Sequence, residues 1–429
     1  MREEVVYNIA ITDTLKQRLL EWSSQFDEVL WLDSNNYEHL YSSCQAILAV
    51  EAFTSIVTDA HDAFQDLETY QSTTQDWIFG YLGYDLKNDI ELLRSNNPSQ
   101  VNVPDLCFFQ PSRLIFVEED RLVFRYLNCV SEEIETDYQH IIQYKLSEII
   151  NKTPVVIQQE LSKETYIARV QQMKEYIAKG DIYEANFCKQ FYATQVNINP
   201  YQKYKQLNAI SKAPFASFFA YDDLYVLCSS PERFLRKQQQ KLITQPIKGT
   251  AKRSVHISDD ASLANQLYTD QKERSENIMI VDLVRNDLSK VASKGSVKVE
   301  EFCKVYSFKQ VHQMISTVTC ELASEFSPVD AIKACYPMGS MTGAPKLSAM
   351  KIIDKLETFK RGIYSGAIGY FTPEGDFDFN VVIRSIIYDR DAQKISFAVG
   401  SAITEKANPE SEYEECLLKA NALKDILSN

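Results

Sequence analysis

Histidine is scarce in this chain. Only five occur among 429 residues, His39, His61, His140, His256 and His312, so metal chemistry built on imidazole is not expected. The nine cysteines (Cys44, Cys107, Cys129, Cys188, Cys228, Cys303, Cys320, Cys335 and Cys416) form no CxxC pair, and no zinc site is suggested. Most lie in apolar surroundings and read as reduced core thiols of a cytosolic protein. No apolar run approaches the roughly 18 residues of a membrane span. The start, Met1-Arg2-Glu3-Glu4, lacks the apolar core of a signal peptide, so a cytoplasmic location is expected. Basic residues are also short: 45 Lys and Arg against 59 Asp and Glu give a net charge of −14. That balance argues against a nucleic-acid coat, which needs a basic face. It leaves room for a small anionic substrate held by a local cluster of Arg and Lys.

What is present is an ordinary globular composition, 45% hydrophobic and 24% charged, long enough for two or three units at about 150 residues each. Polar residues from Arg94 to Pro104 read as a long loop, and a break follows near Asn151 to Pro154. Ser162 then caps an amphipathic helix carrying Ile167, Val170, Met173 and Ile177, which Gly180 stops. Phe215–Tyr221 and Leu224–Cys228 read as a hairpin about Asp222-Asp223. One or two helices are expected over 261–288 and another over Lys346 to Leu356, entered through Gly343-Ala344-Pro345. Strands over 365–371, 377–388 and 394–404 precede a last helix, 412–427. Helices and hairpins are segregated, so the expected class is α+β with antiparallel sheets.

Pro246-Ile247-Lys248-Gly249-Thr250 holds a lysine between a proline-restricted strand end and a glycine. An amine so displayed is either a nucleophile or a solvated turn residue. Ser230-Pro231-Glu232 puts a carboxylate on a similar turn, a proton-transfer partner if both open onto one cleft. Glu273 and Glu276, and likewise Glu412 and Glu415, each share one helix face. Two solvated faces would explain them; two facing helices would gather four carboxylates and call for a hard divalent cation such as Mg²⁺. Arg384 interrupts the apolar run Phe379–Ile387 and implies either an anion site or a structural ion pair. Lys419, four residues after Glu415, is an i,i+4 partner or a second anion contact. His312 lies in an apolar strand, where a satisfied core residue is commoner than a catalyst. Gly339 to Lys346 is a small-residue loop leading into a helix, able to receive an anion on its backbone N–H groups.

These motifs together resemble the chorismate-binding enzymes. The strong likeness, over about residues 160–425, rests on Ser230-Pro231-Glu232, Ile247-Lys248-Gly249-Thr250, Lys272-Glu273-Arg274 through Asn286-Asp287, Gly343-Ala344-Pro345-Lys346 and Glu412-Tyr413-Glu414-Glu415; Gly80-Tyr81-Leu82-Gly83-Tyr84 extends it weakly toward the N-terminus. The resemblance implies an α/β/β/α sandwich of two packed antiparallel sheets. It divides the chain into an N-terminal region, 1–155, intertwined with a chorismate-binding catalytic domain, 156–429. Lys248 is similar to the branch that aminates C4 of chorismate on the route to 4-aminobenzoate and folate; anthranilate-forming members carry Ala there. Anthranilate formation and a non-catalytic chorismate-binding subunit are the alternatives.

By the same likeness Lys248 attacks C2 of the ring, Glu232 is the general acid and His312 lines the ring site. Glu276 and Glu415 hold Mg²⁺, with Glu273 and Glu412 assisting. Tyr364, Arg384 and Lys419 bind substrate carboxylates, and Gly249, Thr250, Thr342 and Gly400 complete the substrate site. Glu184 stands where family members usually show Gln, and Val399-Gly400-Ser401-Ala402-Ile403 departs from the usual Ala-Gly-x-Gly-Ile. No cysteine sits on a Gly-flanked elbow, so a separate glutamine amidotransferase subunit is the implied source of ammonia.

Overall fold

The computed structural model describes residues 1–37, 41, 44–91, 93–147, 154–309 and 311–428. The break expected near Asn151 falls mostly outside them. Twenty strands form one continuous hydrogen-bonded ladder, and every pairing among the described residues is antiparallel. The ladder becomes two layers at the long strand Leu106–Val117. One edge of this strand pairs along its length with Ala46–Thr58. Its other edge splits between Arg121–Leu127 and Ile78–Leu82.

From Ala46–Thr58 the first layer runs through Glu28–Asp33, Phe215–Tyr221, Leu224–Ser230, Ser385–Asp389 and Lys394–Ile403 to Glu184–Thr194. From Ile78–Leu82 the second runs through Ala367–Phe371, Phe377–Val381, Arg233–Gln238 and Lys241–Gln245 to Val311–Glu321, which also pairs with Ile247–Lys252 and Lys298–Ser307. Strands from both ends of the chain therefore share each layer.

Side-chain alternation explains the stacking. Ile47 and Ala49 point into the core between the layers with Phe79, Phe108 and Phe379. Their neighbours Ala46, Leu48 and Val50 point outward, onto Leu19, Tyr166 and Leu423 of the covering helices. Helices Gln271–Ser289 and Pro328–Cys335 cover the second layer through Val281, Val284 and Ile332. The result is the α/β/β/α sandwich that the family likeness implies. No helix among the described residues is long and apolar enough to cross a membrane.

Local readings hold where caps and turns are explicit. Ser162 caps Lys163–Ala178 by accepting from Thr165 N, the hairpin turns at Asp222-Asp223, and the helix at Lys346–Leu356 keeps its expected bounds. The expected 261–288 segment is two helices, Ile257–Thr269 and Gln271–Ser289, with Asp270 capping the second. The strand expected over 377–388 is also two, Phe377–Val381 and Ser385–Asp389. Between them Arg384 takes φ 51°, a left-handed conformation costing an L-residue about 1–2 kcal/mol. There the chain leaves the second layer for the first.

Candidate active site

Two chain crossings between the layers build the site. Leu224–Ser230 lies in the first layer and Arg233–Gln238 in the second, so Pro231-Glu232 spans the gap. The Arg384 crossing runs beside it: Val381 N donates to Glu232 O at 3.0 Å and Ser229 N to Arg384 O at 3.2 Å. Glu232 is buried. Burial pushes its pKa up to about 7, against the opposing pull of Lys248 and Arg384. Glu232 also lines an open cleft of about 350 Å³ with Pro246, Gly339 and Ser340. Arg384 retains solvent-exposed surface although protein surrounds its guanidinium, as for a side chain lining a concave wall. That enclosure lowers its pKa while Glu232 raises it. Arg384 has no side-chain hydrogen bond or ion pair among the described residues, and its electrostatic partner is Glu232.

Lys248 lies on the strand Ile247–Lys252 rather than on a hairpin turn. Its register against Val311–Glu321 shifts between Ile247 and Thr250, and the local bulge re-aims the side chain. Gly249 at φ +91° makes this possible; a Cβ there would meet Glu273 Oε2 at 3.1 Å and Leu267 Cδ1 at 3.1 Å. Gly249→Ala should cost about 1–2 kcal/mol in urea unfolding, without altering the Lys248 side chain itself. Lys248 Nζ donates to Glu184 Oε1 at 2.7 Å, the two side chains being 11% and 3% exposed. Burial draws the lysine pKa down, but Glu184, Glu276 and Glu232 together set it above the ordinary value. Glu184 begins the strand Glu184–Thr194, which pairs with Gly343-Ala344. A Cβ on Gly343 would stand 2.2 Å from Glu184 O, so this close approach requires glycine.

The acidic pairs share one field. Glu276 and Glu412 are buried, and Glu415 is exposed. Burial pushes Glu276 up to about 7, with Lys248 opposing and Glu184 and Glu273 adding to it. Burial also raises Glu273 and Glu412, and Glu415 raises both. Lys272 sits in the same field: burial lowers its pKa, but Glu276, Glu412, Glu273 and Glu415 together raise it. Its Nζ is 3.8 Å from Glu276 Oε1, a buried atom without a hydrogen-bond partner. No three His, Cys, Asp or Glu side chains stand together as a ready metal cage among the described residues. Four carboxylates against the lysines Lys272 and Lys419 nonetheless supply hard oxygen donors whose chemistry fits a divalent ion.

Other expected residues divide. Lys419 donates to Glu415 at 2.8 Å and to Gly400 O at 2.9 Å, tying the last helix, Pro409–Ser428, to the strand Lys394–Ile403. Thr342 is buried and donates within its own loop, to Met338 O at 3.2 Å, while its carbonyl accepts from Asn186 N at 2.7 Å. Tyr364 is buried against Cys188, its hydroxyl 3.9 Å from Sγ. Gly400 faces the same cysteine, where a Cβ would come within 2.7 Å of Sγ. Thr250 is exposed opposite Gln313. His312 is buried, with Nδ1 2.9 Å from Ser307 Oγ and Nε2 3.0 Å from Asp260 Oδ1. No described hydrogen bond or ion pair links it to Lys248 or Glu232.

Two features escape a reading of local motifs. One is the Glu184–Lys248 pair; Glu184 stands out in the sequence only as a departure from Gln. The other is Arg361, which joins Glu357 at 2.6 Å and donates to Met341 O at 2.7 Å and Asn186 O at 2.9 Å. Glu357 in turn accepts from Cys188 N at 2.8 Å. This buried pair clamps the site loop to the strand bearing Glu184.

The fold and the cleft point to one class. Residues 27–425 match the model of the chorismate binding enzymes, and the chain belongs to that family. A probable chloroplastic aminodeoxychorismate synthase of Oryza sativa subsp. japonica is 37% identical over 80% of this chain and 42% of that protein. Aminodeoxychorismate synthase component 1 of Bacillus subtilis is 32% identical over 87% of this chain and 80% of its own length. Anthranilate synthase component I of Streptococcus pneumoniae superposes with a TM-score of 0.78 at 25% identity, covering 91% of this chain and 94% of that one. The chain spans less than half the length of the Oryza relative.

Proposed function

We propose that the chain converts chorismate and ammonia to 4-amino-4-deoxychorismate, a precursor of 4-aminobenzoate and folate. A separate glutamine amidotransferase subunit would supply the ammonia. The observation that carries this reading is one protonatable buried carboxyl, Glu232, in the electrostatic field of both the Lys248 amine and the Arg384 guanidinium. Relatives named aminodeoxychorismate synthase support it. Buried thiols such as Cys107, Cys188 and Cys335 suit a reducing cytoplasm.

Lys248 Nζ attacks C2, and the C4 hydroxyl leaves with a proton from Glu232. Ammonia then bonds to C4, expelling the lysine amine, and Glu232 recovers a proton. Arg384 and Lys419 are proposed to receive the substrate carboxylates, with Tyr364, Thr342, Gly400, Gly249 and Thr250 shaping the wall. His312, with both ring nitrogens engaged, is assigned no proton transfer. Mg²⁺ is the proposed cofactor; Glu276 and Glu415 would hold it, assisted by Glu273 and Glu412, and its charge would neutralise a substrate carboxylate.

Incubation with chorismate, ammonium and Mg²⁺ tests the reading: 4-amino-4-deoxychorismate is expected, and anthranilate with pyruvate would contradict it. Removing divalent ions with EDTA should abolish turnover, with Mg²⁺ restoring it. Glu276→Gln should raise the Mg²⁺ requirement about tenfold or more, measured by titration. The pH dependence follows from Glu232. Its carboxyl must be protonated to act as acid and titrates near 7. Lysine-adduct formation without ammonia should therefore fall as pH rises through about 7, and that limb should vanish from the residual activity of Glu232→Gln.

A further inference from the structure

Lys248 cannot attack while it remains an ammonium, and the cleft is built to keep it one. Its Nζ sits in the field of three carboxylates, yet it makes one short ion pair, to Glu184 Oε1 at 2.7 Å. Glu232 has its own task, delivering a proton to the leaving hydroxyl. Glu276 acts on Nζ only through its field, and among the described residues Glu184 is the carboxylate hydrogen-bonded to it. Its second oxygen, Oε2, is buried with no hydrogen-bond partner. A buried unpartnered oxygen calls for an explanation, and a carboxyl that takes up a proton during turnover supplies one, since its acid form needs fewer acceptor contacts.

We propose that Glu184 is the general base that frees the Lys248 amine. The inference rests on the covalent reading above and adds a residue to it. Glu184 Oε1 takes one proton from Nζ, converting ammonium and carboxylate to amine and carboxylic acid. The Nζ lone pair then forms the bond to C2, the ring double bonds shift, and the C4–O bond breaks as the hydroxyl takes the Glu232 proton and leaves as water. In the second half, ammonia bonds to C4, the ring electrons return, and the C2–Nζ bond breaks with its pair on nitrogen. The new C4 ammonium gives a proton to Glu232, and Glu184 returns its proton to Lys248. Both carboxyl groups end as they began.

The backbone supports the assignment. Glu184 is the first residue of its strand, fixed by pairing with Ala344 and by the close approach of Gly343. The carboxylate is thus held on a rigid element, as a proton acceptor needs to be.

The test compares Glu184→Gln, Glu184→Asp and Lys248→Ala by rapid quench with chorismate, reading the Lys248 adduct by peptide mass spectrometry alongside steady-state kcat and KM. Gln keeps the volume and a hydrogen-bond acceptor but cannot take the proton. The expected result is adduct formation and kcat lower by about 10²-fold or more, an unchanged KM for chorismate, and partial recovery in Glu184→Asp. If Glu184→Gln forms adduct at the wild-type rate, Glu184 is only a structural partner and the inference fails while the covalent reading stands. If the wild type forms no adduct and Lys248→Ala still aminates C4, the covalent reading itself fails, and this inference with it. Should the Gln variant not fold, Glu184→Asp carries the test: a lower kcat at unchanged KM supports the role, and an unchanged kcat overturns it.

Discussion

Lys248→Ala will lose amination at C4, with kcat lower by at least about 10³-fold, because no other described amine occupies the nucleophile position. Chorismate binding should survive, since Arg384 and Lys419 remain. The same substitution strands Glu184, whose side chain is 3% exposed. Breaking a buried ion pair from one side costs on the order of 3–5 kcal/mol, less whatever is recovered when the carboxyl takes up a proton. Lys248→Ala/Glu184→Gln should therefore unfold at higher urea than Lys248→Ala while staying as inactive. Equal urea midpoints would show that the pair carries no such coupling.

Arg361→Ala has the largest expected effect on stability. Arg361 is buried, joins Glu357 through two nitrogens at 2.6 and 2.9 Å, and holds two backbone carbonyls. Its loss leaves Glu357 charged in the interior and frees Met341 O and Asn186 O. A loss of about 3–5 kcal/mol is expected in urea unfolding. Lysine should not restore it, because a single ammonium cannot reproduce the planar fork. Activity should fall as well, since Asn186 lies two residues beyond Glu184. A wild-type urea midpoint for Arg361→Ala would contradict this role.

Much of the site is legible because it is local. Glu232, Lys248 and the glutamate pairs sit in short motifs whose spacing carries chemical meaning, and the helix bearing Glu412 and Glu415 is plain from periodicity. Ser162, Gly180 and Asp222-Asp223 mark element ends by cap and turn chemistry that needs no tertiary contact. What stays hidden depends on long-range pairing. Glu184 reaches Lys248 only because its strand joins Gly343-Ala344, and neither segment announces the other. Arg361 and Glu357, four apart, resemble a surface pair of small worth; burial makes them a clamp. Arg384 lies in a run apolar enough to read as one strand, and its φ of 51° reflects a change of layer that no local preference of arginine encodes. For His312 the residues alone suggest a satisfied core histidine, while the family likeness places it at the ring site; its ring nitrogens meet Ser307 and Asp260.

The most direct test of the central claim is to quench the protein with chorismate and Mg²⁺ in ammonia-free buffer and map the modified peptide by mass spectrometry. The expected result is a mass increase of one chorismate less one water, confined to the peptide carrying Lys248 and discharged when ammonia is added. An unmodified Lys248 in a preparation that goes on to make 4-amino-4-deoxychorismate once ammonia is added would contradict it.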